Sequence, residues 1–196
     1  MSKKEGYRSR ATYKLKQIDK RFQILRKGYK VIDLGAAPGG WLQYAAEVIG
    51  DEGFILGVDK KPIAPLPYAN VKTVELDLGD EGSLEAIARE VDGRVDVLLS
   101  DLSPNISGAW DVDVARQVYL CFKAIEVADR VLRRGGWMVV KIFQGEGTDM
   151  VVKALKERFE KVKLFKPPSS RKGSSEIYAV CRGYRRVASS TASMNT

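Results

Sequence analysis

Apolar positions along the chain come in two rhythms, and their alternation sketches the fold. Val31, Ile32 and Leu34 form a short run that ends in a small-residue turn, Gly35-Ala36-Ala37-Pro38-Gly39-Gly40. Leu42, Ala45, Ala46 and Ile49 then recur at three- and four-residue steps, the spacing of a helix with one buried face. The unit is a strand, a glycine turn and a helix. Strands are likewise predicted over Gly53–Asp59, Val71–Leu76, Trp137–Phe143, Val162–Phe165 and Glu176–Cys181. Val95–Leu99 is apolar throughout, as in a strand covered on both faces. Helices are predicted from Ser83, as N-cap, to about Val91, over Val112–Leu132 until Arg133-Arg134-Gly135-Gly136 stops it, and over Thr148–Arg158. Ahead of them all, Tyr7–Arg26 reads as a basic helix with an apolar stripe of Ala11, Leu15 and Ile18. Strands alternating with helices imply an α/β fold, a parallel sheet with helices on both faces.

Composition narrows the class. At 196 residues the chain makes one core, divided here into a basic helical extension (1–29), an α/β domain (30–186) and a Ser/Thr/Ala-rich tail (187–196) expected to be disordered. No apolar run approaches the ~20 residues of a membrane span, and the N-terminus lacks a signal peptide's apolar segment, so a cytoplasmic protein without a membrane partner is expected. Cys121 and Cys181 have no CxxC context and are expected to be buried free thiols. There is no histidine, which removes Ser-His-Asp and Cys-His catalysis and histidine metal sites. No metal is expected, and a general base must be Asp, Glu, Lys, Tyr or Cys. The net charge of +8 is uneven: residues 1–30 hold 11 Lys/Arg against 2 Asp/Glu, residues 31–152 hold 11 against 20, and residues 153–196 hold 11 against 3. Two basic ends around an acidic middle suggest a polyanion partner.

In open α/β sheets, ligands bind beyond the carboxyl ends of the strands. Asp33, Asp59, Asp77 and Asp101 sit at four successive strand exits, and Lys141 lies near the end of the fifth strand. The turn is neither G-x-G-x-x-G nor a phosphate loop, so it suits an adenosine without phosphates, which points to S-adenosylmethionine. Asp59, 26 residues after Asp33, is placed to accept from ribose hydroxyls, and Asp77 to accept from the adenine amino group or simply to cap its own loop. Lys141 inside WMVVKIF either reaches solvent or is buried and paired, with Asp101 as the candidate partner. The basic loop KPPSSRKGSSE, Lys166–Glu176, is a cover and phosphate grip for the cleft or a plain linker.

Taken together, RSRATYKL (Arg8–Leu15), DLGAAPGGW (Asp33–Trp41), SDLSPNISG (Ser100–Gly108), VVKIFQGEG (Val139–Gly147) and KPPSSRKGSSEIY (Lys166–Tyr178) resemble the FtsJ-like RNA 2′-O-ribose methyltransferases, in order and over about residues 7 to 184. The resemblance implies a Rossmann-like, seven-stranded, mostly parallel sheet and methyl transfer from S-adenosylmethionine to a ribose 2′-hydroxyl, with S-adenosylhomocysteine as product. It also implies a Lys-Asp-Lys-Glu tetrad, which falls on Lys14, Asp101, Lys141 and Glu176. Implied cofactor contacts fall on Gly35, Gly39, Trp41, Asp59, Asp77 and Asp101, and Arg8, Arg10, Arg171 and Lys172 are expected to hold RNA phosphates. The substrate it implies is a uridine of large-subunit ribosomal RNA, free or in the subunit; the alternatives are a tRNA 2′-O-ribose methyltransferase and a non-catalytic RNA-binding ribosome-assembly factor, and a monomer is the default expectation. Lys141 is open to two roles, general base or orienting group. SGAWDVD (Ser107–Asp113) stands where other members vary.

Overall fold

The computed structural model describes residues 6–185. Seven strands form one sheet in the order β3-β2-β1-β4-β5-β7-β6. These are β1 (Lys30–Leu34), β2 (Phe54–Asp59), β3 (Val71–Glu75), β4 (Val95–Ser100), β5 (Leu132–Phe143), β6 (Phe159–Phe165) and β7 (Glu176–Tyr184). The β1–β5 pairs are parallel, while β7 runs antiparallel between β5 and β6. The expected seven-stranded, mostly parallel α/β sheet is therefore present, with its antiparallel part at one end.

Helices cover both faces. On one face α1 (Thr12–Phe22) and α2 (Gly40–Ile49) bury Leu15, Ile18, Trp41, Leu42 and Ile49 against β1, β2 and β4. On the other, α3 (Ser83–Glu90), α4 (Trp110–Val131) and α5 (Thr148–Arg158) bury Ile87, Cys121, Ile125 and Leu155. Although α1 is mostly polar, Leu15 and Ile18 have no exposed surface. Full burial of two such side chains is worth about 1.5–3 kcal/mol each, enough to make α1 part of the core and to fix Lys14, next to Leu15, in place.

Several boundaries differ from the sequence expectation; the first helix, for one, begins at Thr12 rather than Tyr7. The basic helix ends at Phe22 rather than Arg26, because Gln23 turns left-handed (φ 54°) and the Asp19 carboxylate accepts the Leu25 N–H at 2.9 Å. The run Arg133–Gly136 does not separate helix from strand. Leu132 already pairs with Val95, and the register then jumps to Val97↔Trp137, so the glycines form an irregularity inside β5. Ser83 does not cap its helix either; Gly82 holds the N-cap position and the Ser83 hydroxyl donates to the Leu78 carbonyl. Both cysteines are free and buried. Residues 187–196 lie outside the described residues.

Candidate active site

At the carboxyl ends of β1, β2, β3 and β4 lies a cleft of about 570 Å³, whose wall includes Gly35, Asp59, Asp77, Asp101 and Lys141. The turn after β1 is pinned to β2: the Gly35 and Ala36 N–H groups donate to the Val58 carbonyl, and the Ala37 N–H donates to Asp59 Oδ2 (3.0 Å). Asp59 Oδ1 accepts the Lys61 N–H at 2.9 Å, so each oxygen keeps one acceptor site for a ligand. Gly35 has φ 77°, and a Cβ there would lie 2.9 Å from the Leu102 N; only glycine lets the turn pass this close to the chain leaving β4. Asp77 lines the cleft while one of its oxygens also caps its own loop through the Gly79 N–H (2.9 Å). Both of its anticipated uses are compatible.

Beneath the turn, Asp33 is fully buried and neither carboxyl oxygen has a hydrogen-bond partner. Burial first, then the nearby Asp101 and Asp59 carboxylates, push its pKa well above the ordinary carboxyl range. The cleft wall mixes the acids Asp59, Asp77 and Asp101 with the cations Lys60, Lys61, Arg116 and Lys141, and its volume is in the range of small-ligand sites.

A second groove, of about 390 Å³, opens beyond the tetrad, walled by Arg10, Lys14, Ser169, Arg171 and Glu176. The four tetrad positions stand between the two spaces. Lys141 is 4 % exposed, and its Nζ donates to the Asp101 carbonyl (2.9 Å), with Asp101 Oδ1 at 3.3 Å and Glu176 Oε1 at 4.0 Å. Lys14 Nζ pairs with Glu176 Oε2 at 2.8 Å. Burial pushes the Glu176 carboxyl up, but Lys14, Lys141 and Arg171 together outweigh it and hold the pKa below the usual value. The lysine in β5 is thus buried and paired. It does not snorkel.

The structure adds a fifth member. Tyr178, on the same face of β7 as Glu176 and in register with Lys141, donates its hydroxyl to Asp101 Oδ1 at 2.7 Å. Its pKa is raised by burial and by Asp101, so it stays a donor. The signal was the period of two in EIY, which puts Glu176 and Tyr178 side by side. Behind the lysine, Gln117 Nε2 donates to the Lys141 carbonyl (2.8 Å) and the Leu102 carbonyl (3.1 Å), tying β5 to the chain after β4.

Three expected positions fall elsewhere. Trp41 is buried against Tyr178 and donates its indole N–H to the Ala11 carbonyl (2.8 Å), so it braces the start of α1 instead of facing the cleft. Gly39 faces the Arg8 side chain and Leu66. Arg8 itself is turned inward: its guanidinium donates to the Pro38, Ala64 and Pro65 carbonyls, because those oxygens have no strand or helix partner and a five-donor fork can serve several at once. It fastens the N-terminal segment to the loop after β2. Arg10 and Arg171 do line the groove; Lys172 is exposed beside it on the same loop. Among the described residues no cluster of three or more His, Cys, Asp or Glu is arranged to hold a metal, and no helix is long and apolar enough to cross a membrane.

A model of FtsJ-like methyltransferases matches residues 7–184. The chain belongs to that family. A ribosomal RNA large subunit methyltransferase E from Methanococcus vannielii is 45 % identical over 184 residues, covering 94 % of this chain and 71 % of that one. One of the same description from Hydrogenovibrio crunogenus is 43 % identical over 183 residues, covering 93 % and 88 %. The crystal structure of a ribosomal RNA methyltransferase from Plasmodium falciparum superposes with a TM-score of 0.80 at 29 % identity, over 91 % of this chain and 98 % of the other. This FtsJ-like methyltransferase therefore aligns along most of its length with relatives described as ribosomal RNA methyltransferases.

Proposed function

We propose that this enzyme transfers a methyl group from S-adenosylmethionine to the 2′-hydroxyl of a uridine in large-subunit ribosomal RNA. The observation that carries the proposal is the position of Lys141 Nζ. It is buried between Asp101 and Glu176, where a cleft large enough for an adenosyl ligand meets a groove walled by Arg10, Lys14 and Arg171.

S-adenosylmethionine bound in the cleft supplies an electrophilic methyl group on sulfur. Asp59 would accept from the cofactor's ribose hydroxyls, Asp77 would face its base, and Gly35 would let the turn approach it closely. On the other side Arg10 and Arg171 hold the backbone of the RNA. An ammonium has three donors; Asp101 occupies one with its carbonyl, and the remaining capacity of Lys141 serves the target 2′-oxygen. Lys141 would orient that oxygen toward the cleft and stabilise the negative charge that develops on it, as the oxygen bonds to the methyl carbon, the carbon–sulfur bond breaks to leave S-adenosylhomocysteine, and the hydroxyl proton passes to water in the groove. Tyr178 fixes the Asp101 carboxylate, Glu176 fixes both lysines, and Lys14 adds positive charge on the RNA side.

Transfer of labelled methyl from S-adenosylmethionine to large ribosomal subunits, their naked RNA and total tRNA, followed by digestion to nucleosides, tests the reading. Labelled 2′-O-methyluridine from the subunits or their RNA is expected. Label in tRNA alone moves the enzyme to a different substrate, and label in no RNA overturns the proposal.

A further inference from the structure

The loop between β4 and α4 carries a feature that the transfer chemistry does not use. Trp110, the first residue of α4, stacks on Phe143 with ring centroids 5.8 Å apart and planes 16° from parallel. Phe143 is 4 % exposed, whereas Trp110 is 47 % exposed, so one indole face covers the phenyl ring and the other is open. Phe143 lies two residues beyond Lys141 on the same face of β5, roughly 7 Å along the strand, and is the register partner of Glu176. The indole therefore stands on the far side of Phe143, near the end of the strand that holds the lysine.

The platform is braced. The buried Asp113 carboxylate accepts the Ser107 N–H (2.9 and 3.1 Å), the Ser107 hydroxyl (2.8 Å) and the Gly108 N–H (3.3 Å). The Ala109 N–H donates back to the Ser107 hydroxyl, so the loop delivering Trp110 is tied at four consecutive hydrogen-bonding groups. A residue needed only to cover Phe143 could be any apolar side chain. A rigid, half-open indole is what stacks on a planar partner at low entropic cost.

We infer that Trp110 is a stacking platform for a nucleobase of the RNA adjacent to the methylated nucleotide, and so a positioning residue that sets the register of the strand over Lys141. The inference rests on the RNA reading above. Every base offers a π-face, and single-stranded RNA is held by this combination of cationic groove and aromatic platform.

The test compares a ten-nucleotide oligouridylate with an abasic ribose-phosphate polymer of equal length and charge, binding measured with S-adenosylhomocysteine present. Wild type is expected to bind the base-bearing strand more tightly. Trp110→Ala should weaken it roughly 5- to 150-fold, leave the abasic polymer unchanged and leave S-adenosylhomocysteine affinity unchanged. Trp110→Phe should restore most of the loss. Equal weakening of both polymers by Trp110→Ala, or no weakening of either, overturns the inference while the RNA reading stands; a wild type that binds neither polymer overturns the RNA reading itself.

Discussion

The cleft at the strand ends and the basic groove meet at the tetrad, yet they are built in opposite ways. The cleft is assembled from consecutive strand exits, Gly35, Asp59, Asp77 and Asp101, all within one run of βα units. The groove joins chain segments from far apart: Lys14 and Glu176 pair across 162 residues, and Gln17 Oε1 accepts the Ser169 N–H at 2.9 Å. A site made of neighbouring turns has its geometry fixed by the sheet. One made by docking a helix onto a distant loop depends on the whole core. On the proposed function, the contrast predicts that ligand and substrate are handled by separable surfaces, with Lys141 as the junction.

The largest effect expected is at that junction. Lys141→Ala should lower transfer by about 10²–10⁴-fold while S-adenosylhomocysteine affinity, measured by calorimetry, stays near wild type. Retained turnover breaks the assignment, and lost ligand affinity means that the two surfaces are not separable. Next come variants that should split the pair. Asp59→Ala should weaken the cofactor about 10-fold or more with RNA affinity unchanged, as one charged hydrogen bond is worth about 1.5–3 kcal/mol. Arg10→Ala with Arg171→Ala should do the reverse, and should reduce the slope of log K against log salt by about 0.7 per lost phosphate contact. Crossed effects would show that one surface depends on the other.

The smallest effect concerns Asp33. Its folded-state pKa is raised, so the unfolded chain loses this proton first as pH rises. From the ordinary carboxyl value of 3.8 upward, until the folded-state pKa is passed, Asp33 therefore makes stability fall with pH. Asp33→Asn should flatten that dependence and raise the melting temperature at neutral pH. Glu176 has the opposite sign: its lowered folded-state pKa contributes stability that is present above the ordinary value of 4.5 and lost as pH falls through the folded value. Melting curves of Asp33→Asn and Glu176→Gln across pH 3 to 8 should diverge in these two directions.

How much was legible follows the same division. The cleft was readable because a strand exit is a sequence position: Asp59 and Asp101 could be placed by counting apolar runs. For Lys141 the sequence offered two outcomes, reaching solvent or pairing with Asp101 from the next strand exit, and the structure has the pair. Of the groove, Arg10 and Arg171 could be named by charge alone, but Arg8, identical by that criterion, spends its donors on the loop carbonyls of Ala64 and Pro65. Charge does not report which unsatisfied oxygens lie within reach. The indole of Trp41 shows the same limit, because its place after the glycine turn does not reveal that the Ala11 carbonyl at the start of α1 accepts its N–H. Tyr178 needed the antiparallel register of β7, which the alternation of strands and helices does not specify.

That register carries a consequence for a chain being made on a ribosome. β7 is the last strand described, yet it lies inside the sheet, between β5 and β6, and it delivers Glu176 and Tyr178. Synthesis runs from the N-terminus and domains begin to fold as they emerge. The turn, the acids and the lysine of the transfer site are all translated before the residues that clamp them. A nascent enzyme would thus own a place for its methyl donor before it owned the means to spend it.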